Sequence, residues 1–389
     1  MKVPHTGLLP RVLAAIALGI IAGLFFPKWA VKAFMTFNAV FGQFLGFLIP
    51  LIIVGLVAPA IADLGKGAGK MLVITVLIAY ADTVLAGLLA YGTGSWLFPS
   101  MVGAAPSQVE RMQSVEPYFS IDIPPMFPVM TGLVFAFLMG LMMAATKTPL
   151  LKDAFHEFRE IIAVTISKAI VPLLPLYIFG IFLNMTYTGQ VWHTLGVFFK
   201  VILVIIVLHL LIILYLYLAA GAASHKNPFR LLWNMIPAYL TALGTSSSAA
   251  TIPVTLQQSL KNGVREEIAG FTVPLCATIH MPGSAMKITA CALTVCLMSG
   301  MPHSFPLFLE FVMMLGIMMV AAPGVPGGAI MAALAPLGSI LGFGAEAQAL
   351  MIALYIAMDS FGTACNVTGD GALAIMMDRI FSRKRSAVA

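Results

Sequence analysis

Long apolar runs separated by short polar gaps dominate the first 226 residues. A helix needs about 20 apolar residues to cross the hydrocarbon core of a bilayer. Runs near 8–27, 36–62, 71–98, 127–146, 160–186 and 194–222 meet that length and predict six conventional spans. Val102–Pro125 is the one long polar segment among them. It carries Glu110, Arg111, Glu116 and Asp122 and reads as an external loop.

The pattern changes from Asn227 onward. Leu231–Leu243 is a short apolar run that ends in Gly244-Thr245-Ser246-Ser247-Ser248, and a second short run follows to Leu260. Phe305–Val320 ends in Pro323-Gly324-Val325-Pro326-Gly327-Gly328, and Ala329–Gly342 follows. Each pair reads as a re-entrant hairpin that turns inside the membrane and leaves by the side it entered. Non-helical backbone survives at that depth only where protein buries it or water lines it, so two hairpins imply an internal polar site. The alternative is ordinary spans, or buried core helices with short loops. Between the hairpins, Ile268–Ile279 breaks at His280-Met281-Pro282-Gly283-Ser284 and resumes at Ala285. Proline removes an amide donor and glycine loosens the backbone. Such a break frees carbonyls of the kind that bind cations in transporters with discontinuous helices.

Composition narrows the class. Hydrophobic residues make up 60% of the 389 and charged residues 9%, against about 45–50% and about 25% in soluble domains. A soluble enzyme and a disordered chain are both excluded. The net charge of +6 forms no basic stripe with interleaved aromatics, so no nucleic-acid partner is expected. Cys276, Cys291, Cys296 and Cys365 lie in apolar segments and suit neither a disulfide framework nor a CxxC metal site. The first run follows Met1–Arg11 without a small-residue cleavage site and reads as a retained span. Lys66, Lys70, Lys147, Lys152, Arg159, Lys226, Arg230, Arg379, Arg383, Lys384 and Arg385 mark one side, and Arg111 with few others the opposite one. The richer side is cytoplasmic by the positive-inside rule. This predicts eight full spans with both termini in the cytoplasm.

The last span carries a polar stripe. Asp359, Thr363, Asn366 and Asp370 fall at i, i+4, i+7 and i+11, one narrow face of a helix. A carboxylate at the bilayer centre costs at least about 2.5–3.5 kcal/mol. Two on one face call for bound cations or a ligand. The alternative is a polar seam between helices, which suits Thr and Asn better than two Asp.

Gly244–Thr255, Pro274–Thr278, Gly324–Gly327 and Asp359 to Asp370 together resemble the dicarboxylate/amino acid:cation symporters. The order of elements agrees over nearly the whole chain. The resemblance implies an all-α polytopic membrane protein with eight transmembrane helices, two re-entrant hairpins and inverted repeats. It implies a homotrimer with an elevator mechanism in the cytoplasmic (inner) membrane. The scaffold would be 1–70 (spans 1–2) and 99–190 (external loop, spans 4–5). The transport domain would be 71–98 (span 3) and 191–389 (span 6, hairpin 1, span 7, hairpin 2, span 8).

By the same resemblance, Asp359 pairs with a substrate α-amino group and Asn366 binds the α-carboxylate. Thr363 adds a hydroxyl, and Ser247 and Ser248 offer hydroxyls and amides to that carboxylate. Helix N-termini favour anions on physical grounds alone. Asp370, with carbonyls of Cys276, His280 and Asn366, resembles one sodium site. Carbonyls of Thr278–Met281 and of 319–322 resemble a second, gated by Pro323–Gly328. No prosthetic cofactor is expected, only transported sodium.

Three departures qualify this. Gly362 stands where carriers of acidic amino acids place an arginine, and Lys287 stands in span 7 where the family has a tyrosine. Gly362 alone points to a neutral substrate. Lys287 could meet an acidic side chain, or pair with Asp359 or Asp82 as a tethered cation. Pro282 replaces the aspartate of a third sodium site. Asp82, with Thr83 beside it, places a carboxylate in span 3 near where the family has a hydroxyl for that ion. His280 titrates near neutral pH in water, so a proton could replace that sodium.

The reading is therefore sodium-coupled symport of an amino acid, not an enzyme. The alternative is a sodium-independent or proton-coupled amino acid/dicarboxylate carrier that uses Lys287 as a tethered cation. A more remote one is an intramembrane serine hydrolase built on Ser246–Ser248 and His280. It lacks the G-x-S-x-G elbow and leaves Asp359 and Asp370 unexplained.

Overall fold

Apolar runs become helices at lipid depth because a helix satisfies its own backbone polar groups. The computed structural model describes residues 8–63, 69–102, 115–146, 148–322, 324 and 326–382. Lys66, Glu110, Arg111, Lys147, Pro323, Val325, Arg383, Lys384 and Arg385 lie outside them. Among the described residues there are sixteen α-helices and no strand. The first seven are α1 (Leu8–Phe25), α2 (Lys28–Asp63), α3 (Gly69–Val102), α4 (Val129–Ala145), α5 (Pro149–Thr165), α6 (Val171–Tyr187) and α7 (Val191–Ser224). Then follow α8 (Pro228–Asn234), α9 (Ile236–Thr245), α10 (Ser248–Lys261), α11 (Glu266–Ile279) and α12 (Pro282–Ser299). The chain closes with α13 (Phe305–Ala321), α14 (Gly328–Ser339), α15 (Ala345–Ala357) and α16 (Asp359–Ser382).

Five segments are long and apolar enough to cross a bilayer, and the bent α15–α16 pair would be a sixth. The 18-residue α1 and 17-residue α4 are the other two predicted spans. The predicted fifth span is longer than its apolar run. It extends back to Pro149 through α5, one segment to Tyr187. Lys152, Asp153, Glu157 and Arg159 lie ahead of that run, but Phe155, Phe158 and Ile162 keep the helical period and pack inward. A π turn over Ile166–Ile170 joins α5 to α6, with the Val171 N–H donating to the Ile166 carbonyl. That extra residue sits just before Pro172, which has no N–H to give.

Both predicted hairpins occur as helix–break–helix units, α9 packing on α10 and α13 on α14. Span 7 is broken as expected: α11 ends at Ile279, His280 and Met281 are non-helical, and Pro282 starts α12. Span 8 is broken too, which the sequence pattern does not announce. The α15 and α16 axes meet at 63° about Met358.

Helix α1 packs on α6, and α2 packs on α4, α5 and α6. Helix α12 packs on α3, and α16 on α7, α9, α10, α11 and α12. Between the two groups, α2 touches α13 and α14, and the Tyr177 hydroxyl donates to the Ala345 carbonyl at 3.1 Å. Every residue of 282–296 is buried, whereas α7 exposes Phe199, Leu203, Val207 and Leu210. Helix α12 is therefore shielded from lipid, and a charge on it must find its partner inside the protein.

The α1–α6 contact rests on Gly19 and Gly23, one turn apart. A Cβ at Gly23 would stand 2.5 Å from Thr186 Cβ, and one at Gly19 2.7 Å from the Phe179 carbonyl oxygen. Small residues at this spacing let membrane helices approach closely. Gly23→Val is expected to cost about 1–3 kcal/mol, the range for overpacking. Thermal unfolding in detergent should show it, and an unchanged midpoint would refute this packing.

Candidate functional site

The polar face predicted on the last span lies on α16, but its two carboxylates serve separate clusters. Asp359 is the first residue of α16, at the break after Met358. Lys287 Nζ donates to Asp359 Oδ1 at 3.0 Å, and the Gly327 N–H donates to Asp359 Oδ2 at 2.8 Å. Lys287 has no exposed side chain, which excludes a snorkelling lysine. Its ammonium lies 3.5 Å from the centroid of the Tyr355 ring, a cation–π contact. It also reaches the Met358 carbonyl at 3.5 Å.

Gly362 makes room for this lysine. A Cβ at position 362 would meet Lys287 Nζ at 2.7 Å and Cε at 2.9 Å. The two unusual residues are thus one feature, because the lysine fills space that any side chain at 362 would need. Of the two acids open to Lys287 by sequence, Asp359 is the one in contact.

The tips of both hairpins converge near Asp359. The tip of the first has Ser246 in the left-handed region at φ 51° and Ser247 as N-cap of α10. Ser246 Oγ and Ser360 Oγ are 2.8 Å apart. Ser247 Oγ and the Ala249 N–H both donate to the Gly324 carbonyl, each at 3.2 Å. The tip of the second hairpin reaches Asp359 through Gly327, at φ 76°, a conformation glycine adopts without penalty. Ser248 is buried at the start of α10. Thr363 Oγ1 donates back to the Asp359 carbonyl at 2.8 Å.

Asn366 is tied to the start of α12. Its Oδ1 accepts from the Gly283 N–H at 2.8 Å, and its Nδ2 donates to Ser284 Oγ at 3.2 Å. Ser284 Oγ lies 3.0 Å from the Tyr355 hydroxyl, which links Asn366 to the ring beneath Lys287. On the other side, His209 Nε2 donates to the Gly283 carbonyl at 2.9 Å.

The second cluster is a triad. His280 Nδ1 lies 2.9 Å from Asp370 Oδ1, and its Nε2 lies 2.9 Å from Asp82 Oδ2. All three side chains are buried. The resemblance implies only a carbonyl of His280 in a sodium site; here its ring also occupies one oxygen of Asp370. Two nitrogen–carboxylate contacts need two hydrogens. An imidazolium between two carboxylates, or a neutral ring with one carboxylic acid, supplies them, and the triad carries one negative charge in both forms.

The remaining expected cation ligands are less concentrated. The Cys276 carbonyl accepts the His280 N–H at 2.9 Å, and the Met281 carbonyl accepts the Ala285 N–H at 3.0 Å. Thr83 Oγ1 bonds the Ala79 carbonyl and Thr278 Oγ1 the Leu275 carbonyl. Both hydroxyls thus donate within their own helices. Tyr355 and Ser284 are members of the site that sequence reasoning misses. Tyr355 stands four residues before Asp359, a helical spacing that the break at Met358 obscures. A cavity of about 340 Å³ lies elsewhere, between α2, α6, residues 115–120 and the start of α15. It shares no lining residue with either charged cluster and offers one carboxylate, Glu346, so it is not the centre of the chemistry.

Comparison with known proteins agrees with this architecture. The model of the sodium:dicarboxylate symporter family matches residues 8–380. Neutral amino acid transporter B(0) of Rattus norvegicus is 32% identical over 161 residues, covering 40% of this chain and 29% of its own length. Excitatory amino acid transporter 3 of Mus musculus is 36% identical over 146 residues, covering 37% and 28%. Excitatory amino acid transporter 4 of Mus musculus is 28% identical over 260 residues, covering 64% and 45%. The chain thus spans under a third of the length of the first two relatives and less than half of the third.

Removing one member of a buried charge pair typically costs about 3–5 kcal/mol. His280→Leu, which leaves two carboxylates without donors, should fall in that range. Asp82→Asn, which keeps a polar partner for the ring, should cost less. Thermal unfolding of both variants in one detergent checks the order, and equal midpoints would undo the triad's role.

Proposed function

The chain belongs to the sodium:dicarboxylate symporter family, and from that premise we propose that it is a secondary active transporter. It carries an amino acid across the cytoplasmic (inner) membrane together with sodium, with both termini in the cytoplasm. The family is one of transporters, not enzymes. The hydrolase reading also lacks a base, because both ring nitrogens of His280 are engaged by carboxylates.

One observation carries the proposal. The Asp359 carboxylate lies where the tips of both hairpins meet, bonded to Gly327 of one and flanked by Ser360 against Ser246 of the other. A carboxylate there suits a substrate ammonium, and the positive end of α10 suits a carboxylate once the Ala249 N–H is released from the Gly324 carbonyl. Asn366, Thr363 and the Ser247–Ser248 tip complete the substrate site. Closure of the second hairpin over the bound substrate permits translocation.

The moving domain comprises residues 71–98 with 191–389, and the fixed scaffold comprises residues 1–70 with 99–190. The packing of α3 on α12, and of α1 and α2 on α6, supports that division. An elevator of this kind works against a fixed scaffold, and a homotrimer supplies one. Asp370 with the carbonyls of Cys276, His280 and Asn366, and the carbonyls around Thr278–Met281, are the sodium ligands.

The His280 bridge favours a second reading at one position. The triad of Asp82, His280 and Asp370 already holds a proton beyond those of two carboxylates and a neutral ring, so a proton takes the place of one coupling ion there.

Proteoliposome uptake of labelled acidic and neutral amino acids, under separately imposed sodium, proton and potassium gradients, tests both readings. Losing a buried charged partner costs about 2–5 kcal/mol in binding and losing a hydrogen bond to a charged group about 1.5–3 kcal/mol, so Asp359→Asn should weaken substrate binding roughly 30-fold or more and Asn366→Ala roughly tenfold or more. Vesicles that accumulate no amino acid under any gradient would end the proposal.

A further inference from the structure

Asp359 has two oxygens, and both are taken by the protein itself. Oδ1 holds the Lys287 ammonium at 3.0 Å, and Oδ2 holds the Gly327 N–H at the tip of the second hairpin at 2.8 Å. The same tip is fastened to the first hairpin through the Gly324 carbonyl, which accepts from Ser247 Oγ and the Ala249 N–H. Lys287 is thus a primary ammonium, delivered by α12 onto the carboxylate that the transport reading assigns to a substrate's ammonium. The fit is built in several ways. Gly362 has no Cβ to obstruct it, the Tyr355 ring lies beneath it, and the lysine is wholly buried.

A bare carboxylate at the meeting point of two hairpins would draw in water and a mobile cation. A carboxylate neutralised by a tethered ammonium needs neither. We propose that Lys287 is a built-in counter-ion that closes the second hairpin over the substrate-free site. Its ammonium stands in for the substrate's and keeps Asp359 in place as the acceptor for Gly327. Resting as this does on the transport reading, it adds a specific consequence. The empty transport domain closes and returns across the membrane without binding a mobile cation in exchange. Lys287 leaves Asp359 only when an arriving ammonium replaces it, and because the lysine stays in the site, the charge balances through the carboxylate that the amino acid brings with its ammonium.

Two measurements test this. The first is amide hydrogen exchange on the purified chain in nanodiscs, with choline as sole cation and no amino acid. Amides of 327–330 should be protected in the wild type and within threefold of that in Lys287→Arg. They should exchange at least tenfold faster in Lys287→Met, with 288–296 unchanged. Unaltered protection of 327–330 in Lys287→Met would overturn the latch. So would protection lost equally across 288–296, since the lysine would then be a general structural partner. The second is net uptake by wild-type proteoliposomes with no internal substrate. Initial rates should agree within twofold whether choline, potassium or sodium is inside, and a strict need for an internal metal cation would overturn the proposal. If the vesicles take up no amino acid at all, the transport reading fails, and hydrogen exchange alone judges the latch.

Discussion

A charge held at lipid depth has to bring its counter-charge with it, and this single requirement organises the interior of the protein. Water cannot solvate the group, and the cost of leaving it bare exceeds the gain from almost any other local contact. The charged side chains buried in the interior are accordingly grouped. Lys287 meets Asp359, and His280 meets Asp82 and Asp370. Neutral side chains extend the lysine's group: Asn366 bonds Ser284, Ser284 meets the Tyr355 hydroxyl, and the Tyr355 ring faces the lysine. The helices α3, α12 and α16, far apart in sequence, are brought to one place by these partnerships as much as by apolar packing.

Two helix breaks in the second half of the chain serve the same end. The break at His280–Met281 turns the imidazole between two carboxylates. The break at Met358 puts Asp359 at a helix start, where its carboxylate meets the tip of the second hairpin. A continuous helix would bury the same side chains against neighbouring turns, where no backbone amide is free to meet them.

Much of this is legible in the sequence. Spans, hairpins and the span 7 break follow from run lengths and from Gly–Pro and Ser clusters, because those residues leave physical marks on a helix. The bend at Met358 leaves a weaker mark: Asp359 and Ser360 are residues that favour helix starts, but with no proline beside them they read equally well as one polar face of an unbroken span. The polar start of α5 escapes a criterion of apolar length, although Phe155, Phe158 and Ile162 keep the helical period. Periodicity puts Asp359 and Asp370 on one face but cannot say that their partners differ. That depends on helices α3 and α12, whose rotation about their axes is fixed by packing. For the same reason the break in span 7 points to the carbonyl of His280, while its ring is the bridging element.

The closeness of Lys287 to Gly362 has a bearing on how such a site can change over time. No side chain can be added at 362 while the lysine stands there, and the lysine cannot be shortened without stranding the acid it neutralises. Each position therefore sets what is tolerable at the other. An arginine at 362 would crowd and repel the resident ammonium, yet become harmless once that ammonium is gone. Such reciprocal dependence is sign epistasis: lineages pass between the two arrangements only by paired replacement, and single-site libraries would score 362 as immutable and 287 as open only to another cation.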